Sequence, residues 1–405
     1  MFRIALAASL TALVVIAFVA PSLQADDTEA KQVSDAYNHF GINLFDEIVR
    51  ADSGGNVFIS PASAAFALAM LYNGAGGITE TEMARVLGLQ GLSLAEVNAA
   101  NSALLSALNE GDSSVELAVA NSIWYRNTFP VRQAFLDRTS GAYDARIGAL
   151  NFADPGSVNT VNGWVSENTR GKIKTIINQI DPDDIMFLVN AVYFKGIWTY
   201  QFRKELTADG AFYLRGEKTT QVPMMQQTHS FQYFATDEFQ AIRLPYGGDS
   251  YSMLVFLPAA DYELDQLVAD VTPETWAEWG KRLSYRDVHL TMPRFKLEYS
   301  RLFNEPLIAL GMESAFSSRT ADFSGLWDAS QTSDPGLYVS FVIQKTFLEV
   351  NEEGTEAAAA TAIGIKADSV PPPPEEMRVD RPFLCAIVDD RSGLILFMGA
   401  IVDPS

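Results

Sequence analysis

The chain holds few residues with which to do chemistry. Its three histidines, His39, His229 and His289, lie far apart in sequence and in no metal-ligand spacing. His39 falls in a run with helical spacing, His229 beside a predicted turn and His289 on a predicted strand. The single cysteine, Cys385, sits inside the apolar run FLCAIV, so no intrachain disulfide can form, and a buried filler is the expected role. No HExxH, GxSxG, phosphate-binding or dinucleotide-binding glycine pattern is present. The cluster Gly74-Ala75-Gly76-Gly77 lacks the strand-then-helix context that a phosphate loop needs. Acids are numerous, but no pair is singled out for glycosidase chemistry. No cofactor, no metal and no enzymatic activity are therefore expected.

One segment stands out from the compact order around it. Residues 351–380 run from NEEGTEAAAATA through IGIKADS to VPPPPEEMRVD. So long a stretch without obvious secondary structure, set between two predicted strands, is usually functional or disordered. Within it, Thr355, Ala357, Ala359, Thr361, Ile363 and Ile365 form one alternating set with no charge. The opposite set, Glu356, Ala358, Ala360, Ala362, Gly364 and Lys366, keeps its charges at its two ends. Such segregation fits a strand with one buried face. The alanine run carries helix propensity as well. Taken alone, the segment fits a surface loop, a short helix or a strand. Gly354 gives the backbone freedom at its start, and the prolines at 371–374 would stop any central strand at its end.

The elements that must hold this segment are legible around it. The chain has 405 residues, 48% apolar and 20% charged, enough to bury a large core. Helices are predicted over 27–50, 61–72, 80–86, 94–108 and 158–170 from apolar steps of three and four. Strands are predicted at 56–60, 115–126, 185–196, 218–225, 231–234, 241–244, 250–258, 287–299, 338–350 and 383–401. The net charge of −21 repels nucleic acid and anionic lipid, so neither is an expected partner. Residues 1–25 read as a signal peptide: Arg3, an apolar run over 4–20, then a small residue, Ala25, where cleavage is placed. The mature chain is expected to be secreted or periplasmic and off the membrane, because no later apolar run is long enough to span one. Residues 26–405 are expected to form a single domain.

Six short motifs in order carry a family resemblance: NVFISPAS (56–63), VNGWVSENTRGKI (161–173), LVNAVYFKGIWTYQF (188–202), TMPRFKLEY (291–299), EEGTEAAAATA (352–362) and LILFMGAIVDP (394–404). The sequence resembles a serpin over nearly all of residues 28–405. The resemblance implies an α+β fold with three β-sheets, about eight to nine helices and an exposed reactive-centre loop, here about 352–375. It also implies core roles for Trp164, Phe194 and Phe202. The implied function is suicide inhibition of a serine protease. The target attacks the loop, and the cleaved loop then inserts into the central sheet and stalls the acyl-enzyme.

The same resemblance distributes roles. Glu352, Glu353, Gly354, Thr355, Glu356, Ala357, Ala358, Ala359, Ala360 and Thr361 match the hinge of inhibitory members. Ser60, Ser63 and Asn190 match positions where the sheet must part, and Trp198 matches the breach above them. Gln344 stands where the family usually has histidine, so any pH sensitivity that a histidine would give is expected to be lost. The family's usual spacing puts the reactive bond between Asp368 and Ser369, with Lys366–Ala367 as the alternative. Asp368 suits proteases with a basic pocket, and Lys366 suits trypsin-like ones. Two other readings share the fold: inhibition of cysteine proteases, and a non-inhibitory carrier or folding helper. The protein is expected to be a monomer, with loop–sheet polymers as a liability.

Overall fold

A computed structural model describes residues 27–52, 54–110, 112, 114–216, 218–331, 336–353 and 372–405. The segment expected to be a signal peptide, 1–25, and the greater part of the expected reactive-centre loop, 354–371, lie outside the described residues.

Two sheets and nine α-helices make up the described fold. The larger sheet runs in the order β1 (Val57–Ile59), β14 (Ile395–Ile401), β13 (Phe383–Asp389), β8 (Tyr251–Pro258), β7 (Phe239–Tyr246), β6 (Thr219–Ala235), β9 (Ser284–Pro293) and β12 (Glu375–Arg378), with β5 (Ala208–Tyr213) also paired to β6. The smaller sheet runs β10 (Phe295–Leu302), β11 (Val339–Val350), β4 (Met186–Gly196), β2 (Val115–Arg126) and β3 (Arg146–Leu150). The second and third sheets of the expected fold are continuous here. They merge because β6 is long enough to pair with β5 at its start, β9 along its middle and β7 at its end.

Between the sheets lies α2 (Pro61–Tyr72), all twelve of whose residues are buried. It is apolar all round because protein surrounds it on every side. Proline at its first position costs no hydrogen bond, since that N–H has no partner inside the helix. Beside it, α1 (Asp27–Ala51) buries Val33, Phe40, Leu44, Phe45 and Ile48, as their spacing predicts, while Ala36 of the same row is half-buried and Tyr37 is buried in addition. α3 (Gly77–Val86), α4 (Leu94–Asn109), α5 (Gln133–Ser140), α7 (Leu264–Ala269), α8 (Pro273–Arg282) and α9 (Asn304–Ala309) flank this core. α4 opens on a capping box between Ser93 and Glu96. The other face of the smaller sheet is covered by α6 (Gly156–Asn168) and the connection after it, through Val161, Val165, Ile173, Ile176 and Ile177.

Several boundaries differ from expectation. The strands expected at 218–225 and 231–234 form one strand, β6, because β9 pairs with the polar stretch between them. Residues 287–299 form two strands that separate at Arg294 and join different sheets. Residues 383–401 form a hairpin, closed by Gly393 at φ +73°. Residues 375–378, expected within the loop region, form β12, anchored by buried Met377 and parallel to β9. Trp164 is half-buried, its ring edge-on to Trp124 at 6.0 Å, whereas Phe194 and Phe202 lie in the core. His229 lies within β6, stacked on Tyr200, rather than at a turn.

Among the described residues no cluster of His, Cys, Asp and Glu could hold a metal, and no helix is long and apolar enough to cross a membrane. Cys385 is buried in β13, where burial pushes its thiol up to about 12. Iodoacetamide at mildly alkaline pH should therefore leave the folded protein unlabelled and modify Cys385 only after denaturation. Mass spectrometry checks this, and rapid labelling of the folded chain would contradict the burial.

Candidate functional site

The smaller sheet contains an interior irregularity of direction. β10 and β11 are antiparallel, as are β4 and β2, but β11 and β4 between them are parallel. Their pairing is direct, from Phe341 opposite Phe187 to Leu348 opposite Phe194. The chain leaves β11 at Val350, so a segment folding back between β11 and β4 would run antiparallel to both. The β4–β11 contact is a closed seam with room in its topology for one more strand.

On the face toward α2, polar side chains fasten this seam. Gln344, Asn190 and Asn121 stand side by side on β11, β4 and β2. Gln344 Nε2 donates to the Ser60 carbonyl at 2.9 Å, and its Oε1 accepts from the Ser60 N–H at 2.7 Å. The same Nε2 donates to Asn190 Oδ1, and Asn190 Nδ2 donates to Ser63 Oγ and Asn121 Oδ1. Ser63 Oγ lies 3.2 Å from Asn121 Oδ1. Ser60 Oγ donates to the Leu396 carbonyl at 2.7 Å, and Thr346 Oγ1 to the Phe58 carbonyl at 2.6 Å. All six polar side chains are buried, where an unpaired amide costs about 1–3 kcal/mol. The row thus holds three strands and the start of α2 in one register.

Above the seam a second group holds the root of the loop. The Trp198 indole stacks on Tyr246 at 4.2 Å and donates from Nε1 to the Asn351 carbonyl at 2.8 Å. Gly196 permits this stack, because a Cβ there would lie 2.4 Å from the Tyr246 ring. Glu352 is buried and accepts from Thr207 Oγ1 at 2.8 Å, with Arg294 Nη1 at 3.4 Å. Glu353 is exposed and pairs with Lys204 at 2.8 Å; the contact lowers the carboxyl's pKa and raises the ammonium's. A cleft of about 710 Å³ opens here, lined by Lys204, Thr207, Arg294, Glu349, Asn351 and Glu352 among others.

Of the residues singled out from sequence, Ser60, Ser63, Asn190 and Gln344 come together in one network. Trp198 stands apart at the end of β4, with Glu352 and Glu353 close by. Gly354 through Thr361 and the bonds at Lys366–Ala367 and Asp368–Ser369 lie outside the described residues. Asn121 and Thr346 were not anticipated. The signal for Asn121 was a polar pair, Asn121-Ser122, inside an otherwise apolar strand.

Comparisons with known proteins agree with this geometry. A sequence model of the serpin (serine protease inhibitor) family matches residues 35–404, and the chain belongs to that family. The match assigns it the family's general mode, non-catalytic inhibition of proteases through a reactive-centre loop. It is 35% identical to the leukocyte elastase inhibitor of Homo sapiens over 387 residues, covering 92% of this chain and all of that one. An uncharacterized serpin-like protein of Methanosarcina acetivorans is 32% identical over 398 residues, covering 96% of this chain and 91% of that one. The crystal structure of tengpin, a thermophilic serpin in its native state, superposes with a TM-score of 0.82 at 31% identity, covering 93% and 94% of the two chains.

The Gln344 amide cannot titrate, whereas a histidine in its place would have to stay neutral to accept from the Ser60 N–H. Burial and that hydrogen bond would depress the ring's folded-state pKa below its unfolded value. Its contribution would be present above about pH 6.5 and lost as pH falls. Gln344→His should therefore destabilise the native protein in acid by about 1–2 kcal/mol relative to neutral pH, beyond any change in the wild type. Urea unfolding at a series of pH values measures the difference.

Proposed function

We propose that the protein is a secreted or periplasmic suicide-substrate inhibitor of serine endopeptidases. The observation that carries this reading is the closed parallel seam between β4 and β11, with the chain leaving β11 beside it. A strand inserted there gains two ladders where one was broken. Residues 354–366 suit that place, because the alternating set from Thr355 to Ile365 is uncharged and its alanines are small. The pinned root at Asn351 and Glu352 supports a hinge that begins at Glu353 and Gly354.

In this mechanism the protease serine attacks the carbonyl carbon of Asp368, or of Lys366 in the alternative, and the new amine at Ser369 or Ala367 leaves. The acyl-enzyme remains attached to the segment that then enters the sheet. Glu352 and Glu353 stay at the root, Thr355 enters first, and Ala357 through Ala360 follow. The target's own machinery makes the covalent bond, and the inhibitor contributes only the conformational change that prevents its hydrolysis. Residues 1–25 act as the leader that brings the chain out of the cytoplasm, and residues 26–405 fold as one domain. The working form is a monomer, and the seam that accepts its own loop can also accept another molecule's.

Incubation with trypsin, chymotrypsin, elastase, subtilisin, granzyme B and a caspase tests the reading. A denaturant-resistant complex with a serine protease is expected. The mass of the released C-terminal fragment places the cut at Asp368 or Lys366. A complex with the caspase alone would move the target class to cysteine proteases, and simple cleavage by every enzyme would remove the inhibitory reading.

Thr355→Arg should convert the inhibitor into a substrate, because a guanidinium entering the sheet must be desolvated without a partner. At least a severalfold rise in loops cleaved per protease trapped is expected. An unchanged ratio would show that Thr355 does not enter first.

A further inference from the structure

The seam is closed on its other face by aromatic rings. Tyr193 of β4 and Phe347 of β11 face one another across it with centroids 5.6 Å apart, and both are buried. Lower down, Phe187 and Phe341 stack across the same seam at 4.6 Å. Over the upper pair passes the connection from α6 to β4. Its Lys172 places Nζ 5.4 Å from the Tyr193 centroid and 6.0 Å from that of Phe347, so one cation covers a ring from each strand. The connection itself is held in place. Asn162 Nδ2 donates to the Ile177 carbonyl at 2.8 Å, Asn162 Oδ1 accepts from the Ile176 N–H at 2.9 Å, and Lys345 Nζ donates to the Thr175 carbonyl at 2.9 Å.

We propose that Lys172 is a latch on the seam: a positioning residue that ties the α6–β4 connection to both strands and slows their separation. This rests on the insertion reading above. A strand coming between β4 and β11 doubles their spacing, from about 4.8 Å to about 9.6 Å. A cation must lie within about 6 Å of a ring centroid to be held by it. Lys172 cannot keep both rings at the doubled spacing, so one contact breaks before the new strand fits. Lys296 provides the contrast. Its Nζ also lies over Phe347, at 4.7 Å, but it stands on β10, which is paired to β11 and moves with it. Loss of the Lys296 contact removes a cation from the same ring without removing a bridge.

The test is uptake of a synthetic acetylated peptide with the sequence of residues 354–366 by the intact, uncleaved protein. Mobility on native gels and Trp198 fluorescence follow the reaction. Lys172→Met keeps the hydrocarbon stem and removes the charge, and should speed uptake about three- to fivefold. Lys296→Met should leave the rate within error of the wild type. In a Phe347→Leu background, where no ring remains on β11 to be bridged, Lys172→Met should add less than about twofold. A Lys172→Met rate equal to the wild type, or equal acceleration by Lys296→Met, would overturn the latch while leaving insertion intact. A wild-type protein that takes up no peptide, even after prolonged incubation, would remove the insertion reading and the latch with it.

Discussion

The proposed mechanism depends on two parallel strands being direct neighbours. β4 and β11 could each pair with a strand of opposite direction, and parallel pairing is slightly the weaker of the two ladders. Their separation is opposed by the ladder between them and by the packing on its two faces. One face is sealed by α2 and the start of the chain's central core, the other by α6 and its connection. The architecture places a weak joint at the centre of a sheet and surrounds it with strong supports. That is the arrangement a strand-accepting sheet requires, and it explains why β4 reads as a continuous apolar run: it is covered on both sides.

The two faces resist opening in different ways. The amide row of Gln344, Asn190 and Asn121 is directional, and hydrogen bonds weaken steeply once angle or distance is lost. It holds firmly and then fails over a short displacement. The aromatic pairs Phe187–Phe341 and Tyr193–Phe347 act through dispersion and ring electrostatics, which tolerate sliding and tilting better than a hydrogen bond does. A seam with both kinds of contact stays closed against thermal fluctuation yet offers no residual polar bond once the row has parted. The buried amides would then need new partners, which an entering backbone would supply in the proposed mechanism.

Sequence legibility followed burial. α2 and β4 were clear because their apolar runs are long and their ends are marked, by Pro61 in one and by the Lys195-Gly196 step in the other. β6 looked broken because Gln226, Gln227, Thr228, His229 and Ser230 show no apolar alternation. Pairing with β9 along that stretch keeps it extended regardless. β12 was hidden by the prolines before it, which suggested loop, although Met377 and Val379 already alternated with charged neighbours. The bend at Arg294 has no glycine to announce it, and which sheet each half joins is a tertiary matter. The site was less legible than the fold. Ser60, Ser63, Asn190 and Gln344 were selected through family resemblance, and no local pattern links residues so distant in sequence. Asn121 carried only the signal of a polar pair with Ser122, and Thr346 became visible only when the strands were aligned.

The root of the loop shows where rigidity ends. Asn351 is held through its carbonyl by a buried tryptophan, and Glu352 is itself buried with a hydroxyl donor and a guanidinium beside it. Both contacts and the Trp198 bond must be given up before this stretch can move, so the anchorage is costly to undo. One residue later the situation reverses. Glu353 pairs with Lys204 in the open, where screening and side-chain entropy leave little net stabilisation. The step from firm to loose therefore falls between Glu352 and Glu353, immediately before Gly354, the one residue there with unrestricted backbone angles. A pivot at that point would swing the following chain without disturbing β11, and the strand that opens the seam would keep its own register throughout.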